Sequence, residues 1–240
     1  MVNSLSDADE IKSRIGAASR AWGLARRHVF TAPLISKETK RRAYESLILG
    51  ILLYGSETWV LTSEMRRQLS VFHHGCVRRM CHVTWKKSWH HHIRASDLEL
   101  RMGLKSMEYY LAKRRLGWFG NVMRMDFQSR LPRQLLTSFV FDRPRKSGGQ
   151  YKTYGASLDD DFKMVGIDSR KDVDLAALSA NFDVWSILLD RLESTDRSKW
   201  KPIDIPYRNA PLAALANIPQ AAPLIQQNNG VADAPAAIPP

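Results

Sequence analysis

Between Arg41 and Trp59 the chain reads RRAYESLILGILLYGSETW, a charged start that runs into its most apolar segment and closes on an aromatic turn. Such a run has to be buried, so the rest of the chain must supply surfaces to cover it. Ala43, Tyr44, Leu47, Ile48, Ile51 and Leu52 recur at helical steps and form a wide apolar face. From Leu47 to Tyr54 the segment is apolar nearly all round, which predicts burial on several sides. The charged helical pattern ahead of it predicts a helix from Lys37 to about Tyr54 and not a buried strand. Ser36 is placed to cap its start, and Gly55 to take the left-handed conformation beyond its end. The apolar run is far short of the roughly 20 residues that span a bilayer.

Other helices follow from the same periodicity. Glu10 to about Phe30 carries Ile11, Ile15, Ala18, Trp22 and Ala25 at steps of three and four, with Arg14, Arg20, Arg26 and Arg27 mostly off that stripe. Ser63 is expected to cap a third helix reaching about Val83, with Met65, Leu69, Phe72, Cys76, Met80 and Val83 on its inner face. Thr84 to Arg94 (TWKKSWHHHIR) shows no helical period and is expected to be an exposed loop. Ser96 is expected to cap a short helix ended by Gly103, and Ser106 a long one to about Met125 with Trp118 in its core. Along one side of that helix run Lys113, Gly117, Gly120 and Arg124, where small residues admit close approach of another backbone, most simply a crossing helix. Leu131 and Pro132 start a further element, Arg143 to Gln150 reads as a basic hinge, and Leu158–Val165 and Val173–Leu192 read as two acidic-surfaced helices. Beyond Pro202 the composition turns to Ala, Pro, Gln and Asn, which predicts disorder. The fold class is therefore all-α: an irregular multi-helix domain with a disordered Ala/Pro-rich tail. Its divisions are a flexible start (1–9), a basic helical domain (10–147), a smaller acidic helical subdomain (148–201) and the tail (202–240).

Charge is distributed unevenly. Residues 61–150 hold 18 Lys/Arg against 6 Asp/Glu, whereas residues 151–240 hold 9 against 12, so nearly all of the net +12 sits in the middle third. That concentration points to a polyanionic partner. Two cysteines, Cys76 and Cys81, make no disulfide framework, and the N-terminus has acids where a secretion signal needs bases. The expectation is an intracellular chain, nuclear or cytoplasmic, with no membrane partner.

Several residue groups invite a chemical reading. Arg78, Arg79, Lys86, Lys87, Arg94, Lys113, Arg114, Arg115 and Arg124 can neutralise phosphates, and Trp85 and Trp89 can stack on bases. His73, His74, Cys76, Cys81 and His82 supply zinc-ligand types, but Cys76 and Cys81, five apart on a helix, point in different directions, so Cys76 reads as core and no metal is expected. Asp159, Asp160 and Asp161 splay over different helix faces and do not converge as a two-metal site needs. Gly148 and Gly149 lack the strand and the GKS/T ending of a phosphate loop, and no nucleophile-elbow pattern occurs. No cofactor is expected.

Taken in order, some blocks resemble a known family. Leu52 to Trp59 (LLYGSETW), Phe72 to Arg79 (FHHGCVRR) and Arg114 to Met125 (RRLGWFGNVMRM) are similar to the "LLYGSETW", "FHHRCLRRIL" and "RRLRWLGHVLRM" blocks of non-LTR (LINE-type) retrotransposon reverse transcriptases. These lie downstream of the polymerase motifs, in the thumb and post-thumb region. Arg14 to Leu24, Gly148 to Gln150 and Asp196, Arg197 and Trp200 extend the resemblance over roughly residues 10–201. Cys81 and His82 replace the family's usual Leu-Gly, and Gly117 an Arg. The Tyr-Xaa-Asp-Asp turn that holds the catalytic metals in such polymerases does not occur. The resemblance thus implies no enzyme but a non-catalytic, sequence-independent grip on RNA or an RNA–DNA duplex. The alternative is a helical interaction module that docks on a reverse transcriptase core and makes no nucleic-acid contact of its own.

Overall fold

The computed structural model describes residues 7–127, 130–141, 153–168, 172–194 and 197–206. The described residues form helices, turns and short extended connections, with no β-sheet among them. The basic stretch Arg143 to Gln150 and the tail beyond residue 206 lie outside the described residues.

Helix α1 (Asp7–Ala25) opens with Asp7, Asp9 and Glu10 against the positive end of its own dipole. It buries Ile11, Ala18 and Trp22. A π-helical turn (Arg26–Phe30) continues it, and Thr31 N–H donates back to Arg26 O at 2.8 Å. The wider turn lags behind α-helical phase, which brings Phe30 flat onto Trp22 with centroids 4.4 Å apart.

The expected organising helix is continuous but built in three pieces: α2 (Lys37–Ala43), a π-helical turn (Tyr44–Ile48) and α3 (Leu49–Leu52). Ser36 caps it, its hydroxyl accepting from Thr39 N–H. Gly55 takes φ 76°, the left-handed conformation expected of it. The expected burial on several sides is less complete than that. Tyr44, Ile48, Leu49, Leu52 and Leu53 are buried, but Leu47 and Tyr54 are 52% and 65% exposed. Neighbouring helices cover one broad face of this helix and leave the other side open.

The cap of α4 (Ser63–Met80) is Thr62, one residue before the expected Ser63. Leu69, Cys76 and Met80 face the core as their spacing predicts, joined by His73 and Val77. The helix stops at His82, which adopts φ 54°. Val83 N–H reaches Arg78 O at 3.0 Å and His82 N–H reaches Arg79 O at 3.1 Å, a Schellman stop made without glycine.

The expected loop 84–94 contains α5 (Trp85–His90), capped by the Thr84 hydroxyl accepting from Lys87 N–H at 3.2 Å. Six residues are too few to show a helical period, which is why the sequence reads as irregular there. His92, at φ 48°, ends α5 as His82 ends α4, with Ile93 N–H on Ser88 O at 3.0 Å. Helix α6 (Ala95–Met102) starts one residue before the expected cap, Ser96, and Asp97 instead accepts from Arg94 N–H at 3.2 Å.

Helix α7 (Met107–Met123), capped by Ser106, is shared by two cores. Met107 and Leu111 join the cluster formed by α1 to α4 and α6. Tyr109, Ala112, Leu116, Phe119 and Met123, at alternating steps of three and four, face a second cluster. That cluster is completed by α8 (Leu131–Phe141), α9 (Tyr154–Met164), α10 (Leu175–Ala180) and α11 (Phe182–Asp190). The single helix expected over Val173–Leu192 is two, because Asn181 leaves helical backbone and its carboxamide oxygen accepts from Asp183 and Val184 N–H, capping α11. Gly120 is where α7 and α11 cross: a Cβ there would sit 2.2 Å from Trp185 Nε1. Trp118, expected in the core, is half-buried against the second cluster, edge-on to Tyr154.

Candidate nucleic-acid interface

The eleven residues singled out as a basic-aromatic set separate into two groups. The first collects where α4 ends and α5 begins. Arg78, Trp85, Trp89 and Arg94 line one cavity of about 460 Å³ between α4, α5 and α6. On the other side of Trp85, Arg78 and Arg79 line a shallow depression together with Arg26 and Arg27. Lys86 and Lys87 are exposed on α5 itself. The Arg78 guanidinium lies over the Trp85 ring, 4.9 Å from its centre. Among the described residues none of these seven cations forms an ion pair.

The second group, on α7, has partners within the fold. Arg115 is 1% exposed and bound to Asp161, a buried pair that ties α7 to α9. Burial pushes the Asp161 carboxyl above its ordinary range while Arg115 pulls it down. Arg114 donates to Leu53 O at 3.2 Å and sits 3.3 Å from Glu57, satisfying a carbonyl at the end of α3. Arg124 does the same for Ser179 O near the end of α10, and its guanidinium lies over Phe182. Lys113 donates to Tyr109 Oη at 2.9 Å and to Glu193 at 3.2 Å. The run Lys113, Arg114, Arg115 looks solvated in sequence, yet successive residues turn 100° on a helix packed on two sides. Arg115 stands one turn beyond Leu111, on a buried stripe, and that spacing is the signal by which sequence could have placed it.

Arg26 and Arg27 are the basic residues that sequence reasoning did not include. They stand about fifty positions before Arg78, and the π-helical turn after α1 brings them beside it.

The histidines and cysteines are dispersed among other partners. His73 is fully buried; Tyr44 Oη lies 3.0 Å from its Nδ1 and Lys105 O lies 3.1 Å from its Nε2. A carbonyl only accepts, so Nε2 carries the hydrogen. His74 Nε2 is 3.1 Å from Glu99, which burial raises and its bonds to the two histidines lower further, to about 2. Burial pushes the Cys76 thiol up to about 12 against the opposing pull of Arg79, leaving it a core residue as its spacing predicts. Among the described residues no three His, Cys, Asp or Glu side chains converge to hold a metal ion. Of the acidic run, Asp161 pairs with Arg115 while Asp160 lies 3.8 Å from Arg66.

Fold and site together define an all-α protein in which seven cations without an ion pair among the described residues lie around α5, and no helix among the described residues is long and apolar enough to cross a membrane. The chain is similar to an uncharacterised transposon-derived protein of Caenorhabditis elegans, at 24% identity over 94 residues, which is 39% of this chain. The match covers 34% of that relative's length. A transposon origin fits this likeness. No family model matches the chain, and no solved structure matches it.

Proposed function

We propose that this chain is a non-catalytic, sequence-independent binder of RNA or RNA–DNA duplex, akin to the thumb and post-thumb region of a LINE-type reverse transcriptase. The observation that carries this reading is the segregation of its cations. Those on α7 bond carboxylates and helix-end carbonyls, while Arg26, Arg27, Arg78, Arg79, Lys86, Lys87 and Arg94 lie around α5 without an ion-pair partner among the described residues. A cation without an internal partner keeps its full attraction for phosphate, and binding there releases counterions without reference to base sequence. The block resemblance and the transposon-derived relative support the setting.

Fluorescence anisotropy with a labelled RNA–DNA hybrid tests it. If six phosphate contacts form, affinity falls about a thousandfold between 50 and 200 mM salt. Lys86→Ala with Lys87→Ala weakens binding and flattens the salt slope by about two. Arg115→Ala, by contrast, lowers the melting temperature and leaves the salt slope of the folded fraction unchanged. A monodisperse, helical sample that does not bind at low salt overturns the reading. It would favour the interaction module instead, for which exposed Leu24, Leu34, Leu47, Tyr54 and Val71 are among the apolar side chains on offer.

A further inference from the structure

We propose that the cavity between α4, α5 and α6 takes an unpaired nucleobase, so that the basic face selects single-stranded RNA or DNA over an uninterrupted duplex. This rests on the nucleic-acid reading of the same face and names what that face prefers to hold.

Helix α5 is set down by two abrupt stops, at His82 and at His92. Its foundations are Val83, which is buried, and Ile93, which is packed against the first core. Its two tryptophans take no part in that anchoring. Trp85 and Trp89 are 69% and 74% exposed, one helical turn apart, and both line the cavity. Two indoles held out in water on a six-residue helix cost hydration that the packing around them does not return. The cavity behind them has an apolar floor of Val77, Ile93 and Leu98. Arg78 of α4 and Arg94, just ahead of α6, line it as well, so an apolar slot carries positive charge from two elements.

The chemistry that fits this pairing is a flat aromatic ring flanked by phosphates. A base offers a π-face to an indole whatever its identity, and the phosphates on either side offer charge to the two arginines. In an intact duplex the base faces are stacked on one another and only edges and backbone reach the protein, so the exposed indole faces would gain no base. An unpaired strand can splay one base into the slot. Because every base has a π-face, the selection is for strandedness and not for sequence, as the backbone contacts already require.

The test uses the full chain and three labelled probes of equal phosphate count: oligo(U), a blunt RNA–DNA hybrid and an oligonucleotide with abasic sites. The proteins are wild type, Trp85→Ala, Trp89→Ala, the Trp85→Phe/Trp89→Phe double variant and Lys86→Ala/Lys87→Ala. Oligo(U) is expected to bind tightest. Each Trp→Ala change should weaken it by roughly 5- to 150-fold, the value of one stacked base. The phenylalanine variant should keep much of the affinity, and the hybrid and abasic probes should be indifferent to all three Trp changes. The lysine variant should weaken every probe alike. If oligo(U) and the hybrid bind equally and the tryptophan variants are silent while the lysine variant is not, the base slot is overturned and the backbone grip stands. If no probe binds at low salt, both readings fall.

Discussion

Glu99 shows how much one residue can couple. It sits on α6 against His73 and His74 of α4, at 3.4 and 3.1 Å. Its carboxyl lies at about 2 in the folded chain against an ordinary 4.5. A carboxyl lowered on folding adds stability that is fully present above its unfolded value and is lost as pH falls through its folded one. The window is therefore from about pH 4.5 down to about pH 2, and the amount on the order of 2–3 kcal/mol. Glu99→Gln is expected to flatten the acid limb of an unfolding curve followed by circular dichroism over that window, while changing its shape near neutrality little. The pair His74 and Glu99 is not legible in sequence, since neither position stands out from its helix's polar face. Cys76 is the opposite case: its place on an apolar stripe foretold its burial.

At the scale of elements, the long helices announced themselves and the short ones did not. Helices α1, α4 and α7 each run 17 residues or more, long enough for several turns of apolar repeat. Helix α5 has six, and its two stops use histidine where glycine would have been the signal. Asn181 interrupts what apolar spacing reads as one helix, because a side chain that caps its own backbone competes with helix continuation. Gly120 was read as admitting another backbone, and what comes close is the Trp185 side chain of the crossing α11, filling the space a Cβ would need. Gly120→Ala should cost about 1–3 kcal/mol by forcing α11 away from α7. Thermal unfolding checks this, and because the crossing lies in the second core, the affinity of the folded protein for nucleic acid should be unchanged.

For the whole molecule, the candidate face is assembled from positions 26–27, 78–79 and 85–94. Arg26→Ala with Arg27→Ala is expected to reduce the salt slope of binding by about two, as much as the paired lysine change on α5. A slope that stays constant would mean that nucleic acid runs along α5 and α6 and does not reach the end of α1. Anisotropy titrations across salt decide between these paths.

By itself the sequence determined the helical class, the organising helix with its cap and its left-handed Gly55, the inward stripes of α1, α4 and α7, and the positive middle third. These are local properties: periodicity, caps and composition act within a few turns of chain. Only the tertiary structure decided which positive charges have a partner within the fold. Lys113, Arg114, Arg115 and Arg124 are indistinguishable by composition from Arg78, Arg79 and Lys86. What separates them is whether folding brings a carboxylate or a helix-end carbonyl within reach. Asp161, Glu193, Leu53 O and Ser179 O come to α7 from positions 46 to 80 residues away along the chain. Such partners are set by packing of distant segments, which no window of sequence contains.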